Sequence, residues 1–151
     1  MLSRSGSELR IEYPYAEDGL DTRGVRLPDI PILWLELQVA RAVRFRGACI
    51  VDTGFDAGLY ANEDLTLLLE GLAPIREDIL HTVGQESITC EVFQAKAFLT
   101  PPTVSRRLRS LGTAEIFVPV LPDHLSLEVI VGRGILNRLA IIIDGQKTVI
   151  I

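Results

Sequence analysis

Aromatic side chains are scarce in this chain, with five Phe, three Tyr and one Trp in 151 residues, so isoleucine, leucine and valine must supply the core. Cysteine is scarcer still. Cys49 and Cys90 are too few for a disulfide framework, and both lie in apolar or alternating segments where a free thiol behaves as a small hydrophobe. They lack the paired spacing of a zinc site, and His81 and His124 add no cluster, so neither a metal nor another cofactor is expected. There is no excess of positive charge: the formal net charge is −5, which argues against nucleic acid as a partner. The densest basic run, Arg106-Arg107-Leu108-Arg109, reads as a solvated loop or helix face. No apolar run reaches the about 18 residues a membrane span needs, and Met1–Arg10 is too polar to be the apolar region of a signal peptide. These absences lead to the expectation of a cytoplasmic protein without a membrane partner. Nor is there an internal repeat or a low-complexity segment.

What is present suits one globular domain: 48% hydrophobic and 23% charged residues. Leu9, Ile11 and Tyr13 alternate with charged residues as in a short edge strand, and Asp18-Gly19 and Arg23-Gly24 mark turns. Leu33, Leu35, Leu37 and Val39 share one parity, which predicts a strand over Ile32–Val39. Val43 and Phe45 suggest a return strand that Gly47 breaks. Ala48-Cys49-Ile50-Val51 is continuously apolar and reads as a strand buried on both faces. A helix capped by Asn62 follows, with Leu65, Leu68, Leu69 and Leu72 on one stripe and Gly71 and Pro74 ending it. Ile79–Val83 and Ile88–Leu99 read as the arms of a long hairpin tipped by Gly84-Gln85-Glu86-Ser87. Residues 103–114 read as a loop, and Glu115–Leu121 and Glu128–Val131 as strands. Arg133–Arg138 allows a turn and a half of helix. Leu139–Ile143 and Thr148–Ile151 form a closing hairpin through Asp144-Gly145. The Ile-rich ends fit either core strands or an interface. The fold class expected is mostly β, with one or two short helices.

The chemistry concentrates in Ile50-Val51-Asp52-Thr53-Gly54-Phe55-Asp56. An apolar strand delivers Asp52 at its end in a dry setting, Thr53 offers a hydroxyl to nearby backbone, and Gly54 permits a sharp turn and a close approach. A carboxylate buried there is costly unless it is paired or serves a reaction. The plainer reading is an Asp that ends a strand in an Asx-turn. Further along, Ile130-Val131-Gly132-Arg133-Gly134-Ile135-Leu136 places an apolar pair and a glycine before a short helix.

Together these segments resemble the retropepsins, the retroviral-type aspartic proteases: an apolar pair before Asp-Thr-Gly, a glycine-tipped hairpin flap, then an apolar-apolar-Gly-Arg segment entering a helix. The resemblance covers roughly residues 31–151. It implies a closed, barrel-like acid-protease domain over 29–151, with residues 1–28 an N-terminal extension to which no role is assigned. It also implies that Asp52 is the catalytic carboxylate and that Thr53 joins the grip between two active-site loops. Gly54 would contact substrate backbone, as would Asp56, which would also pair with Arg133. Val83 and Gly84 would lie at the flap tip and close over the substrate. Leu33, Phe55 and Val83 would line apolar pockets. The tip carries fewer glycines than the family's, and Gly134 stands where Asn or Asp is common.

Aspartic-protease chemistry needs two adjacent carboxylates sharing one proton, so that one serves as base and the other as acid. This chain supplies one. Asp21-Thr22-Arg23-Gly24 is a near miss that no apolar strand precedes. The implied enzyme is therefore a homodimer that hydrolyses peptide or protein substrates through two copies of Asp52. The alternatives are a retropepsin-like module that binds peptides or dimerises without turnover, and a monomeric barrel in which Asp52 only caps a turn.

Overall fold

A computed structural model describes residues 10–84 and 86–151; Leu9 and Gln85, singled out above, lie outside them. The leucine alternation forms strand β2 (Ile32–Ala40), after a short strand β1 (Ile11–Pro14). Leu33, Leu35 and Leu37 are fully buried. On the opposite parity Glu36 is buried too, because Arg107 reaches back to it: Nε donates to Oε2 at 2.6 Å while the guanidinium covers the Phe98 ring. Arg106 and Arg107 remain exposed in a loop, as expected of the 106–109 run, while the Arg107 head group turns back onto Glu36. An unpaired buried carboxylate would cost several kcal/mol, so it draws in the cation.

Strand β3 (Val43–Val51) passes straight through Gly47, contrary to the expected break. The Phe45 ring folds over that glycine, where a Cβ would lie 2.9 Å from the ring. The expectation of a strand buried on both faces is also corrected: Cys49 and Val51 point into the core, whereas Ala48 and Ile50 are half-buried along an open groove. After the two-residue β4 (Leu59–Tyr60) comes helix α1 (Glu63–Leu69). Asn62 Oδ1 accepts from the Leu65 N–H at 3.0 Å, capping it as expected. Leu65 and Leu69 turn inward, but Leu68 is exposed because so short a helix buries only a narrow stripe. Asn62→Ala is expected to cost about 1 kcal/mol, read as a lower urea midpoint with an unchanged slope.

The predicted hairpin is β5 (Arg76–His81) and β6 (Ser87–Leu99). Strand β7 (Arg109–Pro119) starts earlier than the expected Glu115, since Gly112, at φ 75°, absorbs a bulge opposite Ala97 and Phe98. A 3₁₀ turn (Pro122–His124), β8 (Val129–Val131), α2 (Arg133–Leu136), β9 (Ile141–Ile143) and β10 (Lys147–Ile150) complete the chain.

Strands β2-β3-β8-β4-β7-β6 are hydrogen-bonded in that order, and β6 pairs back onto β2 through Leu35↔Leu99 and Leu37↔Ala97. The result is a closed six-stranded barrel with two short helices, mostly β as expected. Closure removes both edges of the sheet. The β5 arm extends beyond it from the first half of β6. A separate sheet, β1-β10-β9, packs below, and the buried Tyr13 of β1 donates its hydroxyl to the Thr100 carbonyl at 2.8 Å. Within the described residues, no helix is long and apolar enough to cross a membrane.

Candidate active site

Strands β3 and β8 lie side by side and parallel, with Ile50 opposite Ile130 and Val51 opposite Val131. Two motifs nearly eighty residues apart in sequence thus end at the same rim of the barrel. Asp52 is the first residue beyond β3, and its N–H still donates to the Val131 carbonyl at 3.0 Å. Its Oδ1 accepts from the Gly54 N–H at 2.9 Å, and its carbonyl accepts from Phe55 at 3.2 Å, so the loop is a tight Asx-type turn.

Asp52, Thr53 and Gly54 are exposed in the single chain. The expected dry setting is therefore corrected: Val51 is buried, but no described element covers the loop beyond it.

Behind the turn, backbone rather than side chains joins the two motifs. Gly132 donates to the Gly58 carbonyl at 2.8 Å, Arg133 to Phe55 at 2.7 Å and Gly134 to Ala57 at 3.0 Å. A Cβ at Gly132 would lie 2.5 Å from the Phe55 carbonyl oxygen, and one at Gly134 would lie 2.9 Å from the Ala57 carbonyl carbon. The glycines on either side of Arg133 are what permit this approach, which gives the departure at Gly134 a packing reason. The expected ion pair does not form: among the described residues, Asp56 and Arg133 are not bridged. Both side chains are exposed, and a solvated pair would gain too little to hold two side chains in register.

Between this loop and the β5–β6 hairpin lies a cleft of about 290 Å³, walled by Asp52, Phe55, Asp56, Tyr60, Val83 and Ile130 among others. Phe55 and Tyr60 meet edge to face, with centroids 6.1 Å apart. Burial pushes the Tyr60 hydroxyl up to about 12, keeping it a neutral donor, and it bonds the His124 carbonyl. Val83 is fully exposed at the hairpin tip beside Gly84. Thr82 donates to the Glu86 carbonyl at 2.9 Å to close the tip, and Glu86 Oε1 lies 3.3 Å from His124 Nε2. The tip is thereby tied to the 3₁₀ turn.

Thr53, Gly84 and Arg133 do not line the cleft. Leu33, expected in a pocket, is fully buried in the core on the inward parity of β2, a further correction. Tyr60, Leu80 and Ile88 line the cleft without having been singled out; each stands in a segment whose sequence shows only ordinary strand character. Among the described residues, no three His, Cys, Asp or Glu side chains are grouped so that they could hold a metal ion.

No family model matches the chain, and no curated protein does. Among solved structures, the chain is similar to a retropepsin-like aspartic protease from Rickettsia conorii, at 15% identity and a TM-score of 0.47, over 92% of this chain and 98% of that one. A likeness at that level assigns no residue a role.

Proposed function

We propose that the protein is an aspartic endopeptidase whose catalytic unit is a homodimer, with one Asp52 from each copy. The observation that carries this reading is the placement of Asp52: a solvent-open carboxylate on a turn held from behind by the Gly132–Gly134 backbone, beside an apolar cleft under a hairpin. Among the described residues there is one such carboxylate, so a two-fold axis must supply the other. Two carboxylates brought close cannot both ionise. The ionised one takes a proton from water as it attacks the peptide carbonyl, and the protonated one donates to the developing oxyanion.

In this reading Thr53 joins the grip between the two loops. Gly54 and Asp56 hold substrate backbone, and Arg133 steadies the loop through its bond to Phe55. Val83 and Gly84 close over the peptide as the tip of a flap. Strand β9 supports pairing with a second copy. It is hydrogen-bonded on one side only among the described residues, and Ile142 and Ile143 are 45% and 47% exposed. An apolar edge of this kind is a ready template for another chain.

A peptide-binding module without turnover is the second reading, favoured by the missing Asp56–Arg133 pair. Dilution tests the dimeric enzyme. Cleavage of a mixed peptide library per mole of protein should hold steady at high concentration and fall in parallel with dissociation measured by sedimentation. Full activity in a dilute monomer excludes the shared dyad.

A further inference from the structure

A second groove, of about 490 Å³, lies beside the Asp52 cleft. Its floor is apolar: Ile32 of β2 with Ala48 and Ile50 on the outward parity of β3. Its rim is acidic, carrying Glu17, Asp18 and Glu128. No Lys or Arg lines it among the described residues; Arg26 meets Glu17 only at 3.8 Å and bonds Asp29 at 2.9 Å. Asp18 and Glu128 have no ion-pair partner among the described residues. The far wall is fixed by a backbone bridge, with Ala16 and Ile30 exchanging bonds at 3.0 and 2.8 Å.

The groove and the cleft adjoin across the β3–β8 strand pair. Ile50, which lines the groove, is the registered neighbour of Ile130, which lines the cleft. Residues opposed in a ladder project to the same face. Ile50 also stands two residues before Asp52, about 7 Å along an extended chain. A peptide held at Asp52 therefore has a side chain's reach into the groove.

We infer that this groove selects a lysine or arginine side chain of the bound peptide, with Glu128 and Asp18 as the specificity-determining residues. The inference rests on the reading of Asp52 as a peptide-cleaving carboxylate. A long basic side chain matches both surfaces at once: its methylene stem lies along Ile32, Ala48 and Ile50 while the charged head stays at the wet acidic rim. A purely apolar side chain would leave the rim carboxylates unused, and an acidic one would be repelled. The net charge of −5 draws cationic peptides in the same direction.

The test uses three ten-residue peptides of Ala, Ser and Leu, identical except for lysine, norleucine or glutamate at one central position. Binding is measured by fluorescence anisotropy on the Asp52→Asn protein, where turnover cannot intrude. The lysine peptide should bind about fivefold to tenfold tighter than the norleucine one, as expected of one or two solvent-facing ion pairs. The preference should vanish in 0.5 M salt. Adding Glu128→Gln and Asp18→Asn should bring the two affinities together while leaving the norleucine peptide unchanged. Both are exposed, isosteric changes that spare the fold. Equal binding of the three peptides, binding of none, or a lysine preference that survives both substitutions overturns the inference. Cleavage by the unaltered protein without preference for basic residues would leave the protease reading standing and remove this one. Lysine-selective binding with no cleavage by the unaltered protein would do the reverse.

Discussion

Asp52→Asn is expected to lower peptide cleavage by about a thousandfold or more, at the upper range of what a positioned acid–base group contributes, with no change in thermal midpoint. The two halves of this expectation come from the same geometry. The carboxylate is exposed, so no buried charge or packing contact depends on it. Among the described residues its side chain makes one bond, accepting from the Gly54 N–H through Oδ1, and an asparagine carbonyl oxygen accepts there equally well. The turn survives. What is lost is the proton chemistry: an amide is neither a base for water nor an acid for the oxyanion. In a homodimer the substitution removes both members of the dyad, so no partial site remains. Mixed dimers formed with the unaltered protein should also be inactive, giving activity that falls as the square of the unaltered fraction. Proteolysis that persists undiminished in the variant, or activity that falls only in linear proportion, would rule out the shared-carboxylate mechanism.

The sequence exposed the parts of this fold whose cause is local. Alternation in β2 is local, and Leu33, Leu35 and Leu37 are inside as the parity requires. The Asn62 cap is local as well, as is the tight turn at Asp52. What stayed hidden was decided by partners distant in the chain. Glu36 sits on a parity that looks solvated, and only the return of Arg107, 71 residues later, makes it a buried ion-paired residue. Gly47 reads as a strand breaker until the Phe45 ring is seen to lie over it. The openness of Ala48 and Ile50 is equally illegible, because an apolar run does not say whether anything covers its second face. At the site, the sequence supplied Asp52 and the Gly-Arg-Gly segment. It suggested that a side-chain ion pair joins them, whereas the join is made by backbone bonds from residues 132–134.

That join makes Gly132→Ala a strongly destructive substitution. The backbone at Gly132 has φ −108°, open to any residue, so conformational strain is not the cause. Space is the cause. The added methyl would overlap the Ala57 carbonyl and the Phe55 ring and lie 2.5 Å from the Phe55 oxygen. Two of these neighbours are main-chain atoms and cannot swing aside as a side chain would. Either the 55–58 segment retreats or the 132–134 turn does, and the bonds from Gly132 to Gly58 and from Arg133 to Phe55 are lost with it. Overpacking of about 1–3 kcal/mol and two bonds of about 1 kcal/mol each give a loss of about 3–5 kcal/mol. That is a large fraction of the about 5–15 kcal/mol that a domain has in total. Because the 55–58 segment continues directly from the Asp52 turn, whose carbonyl accepts from the Phe55 N–H, activity of whatever remains folded should fall about a hundredfold, the usual effect of misplacing a reacting group by about 1 Å. Gly84→Ala is the matched control, since the nearest atom to its added Cβ would be 3.9 Å away; stability there should not change. Urea titration on both variants and peptide cleavage on Gly132→Ala decide the matter, and a Gly132→Ala protein with native stability and native turnover would show that the brace does not hold the Asp52 loop.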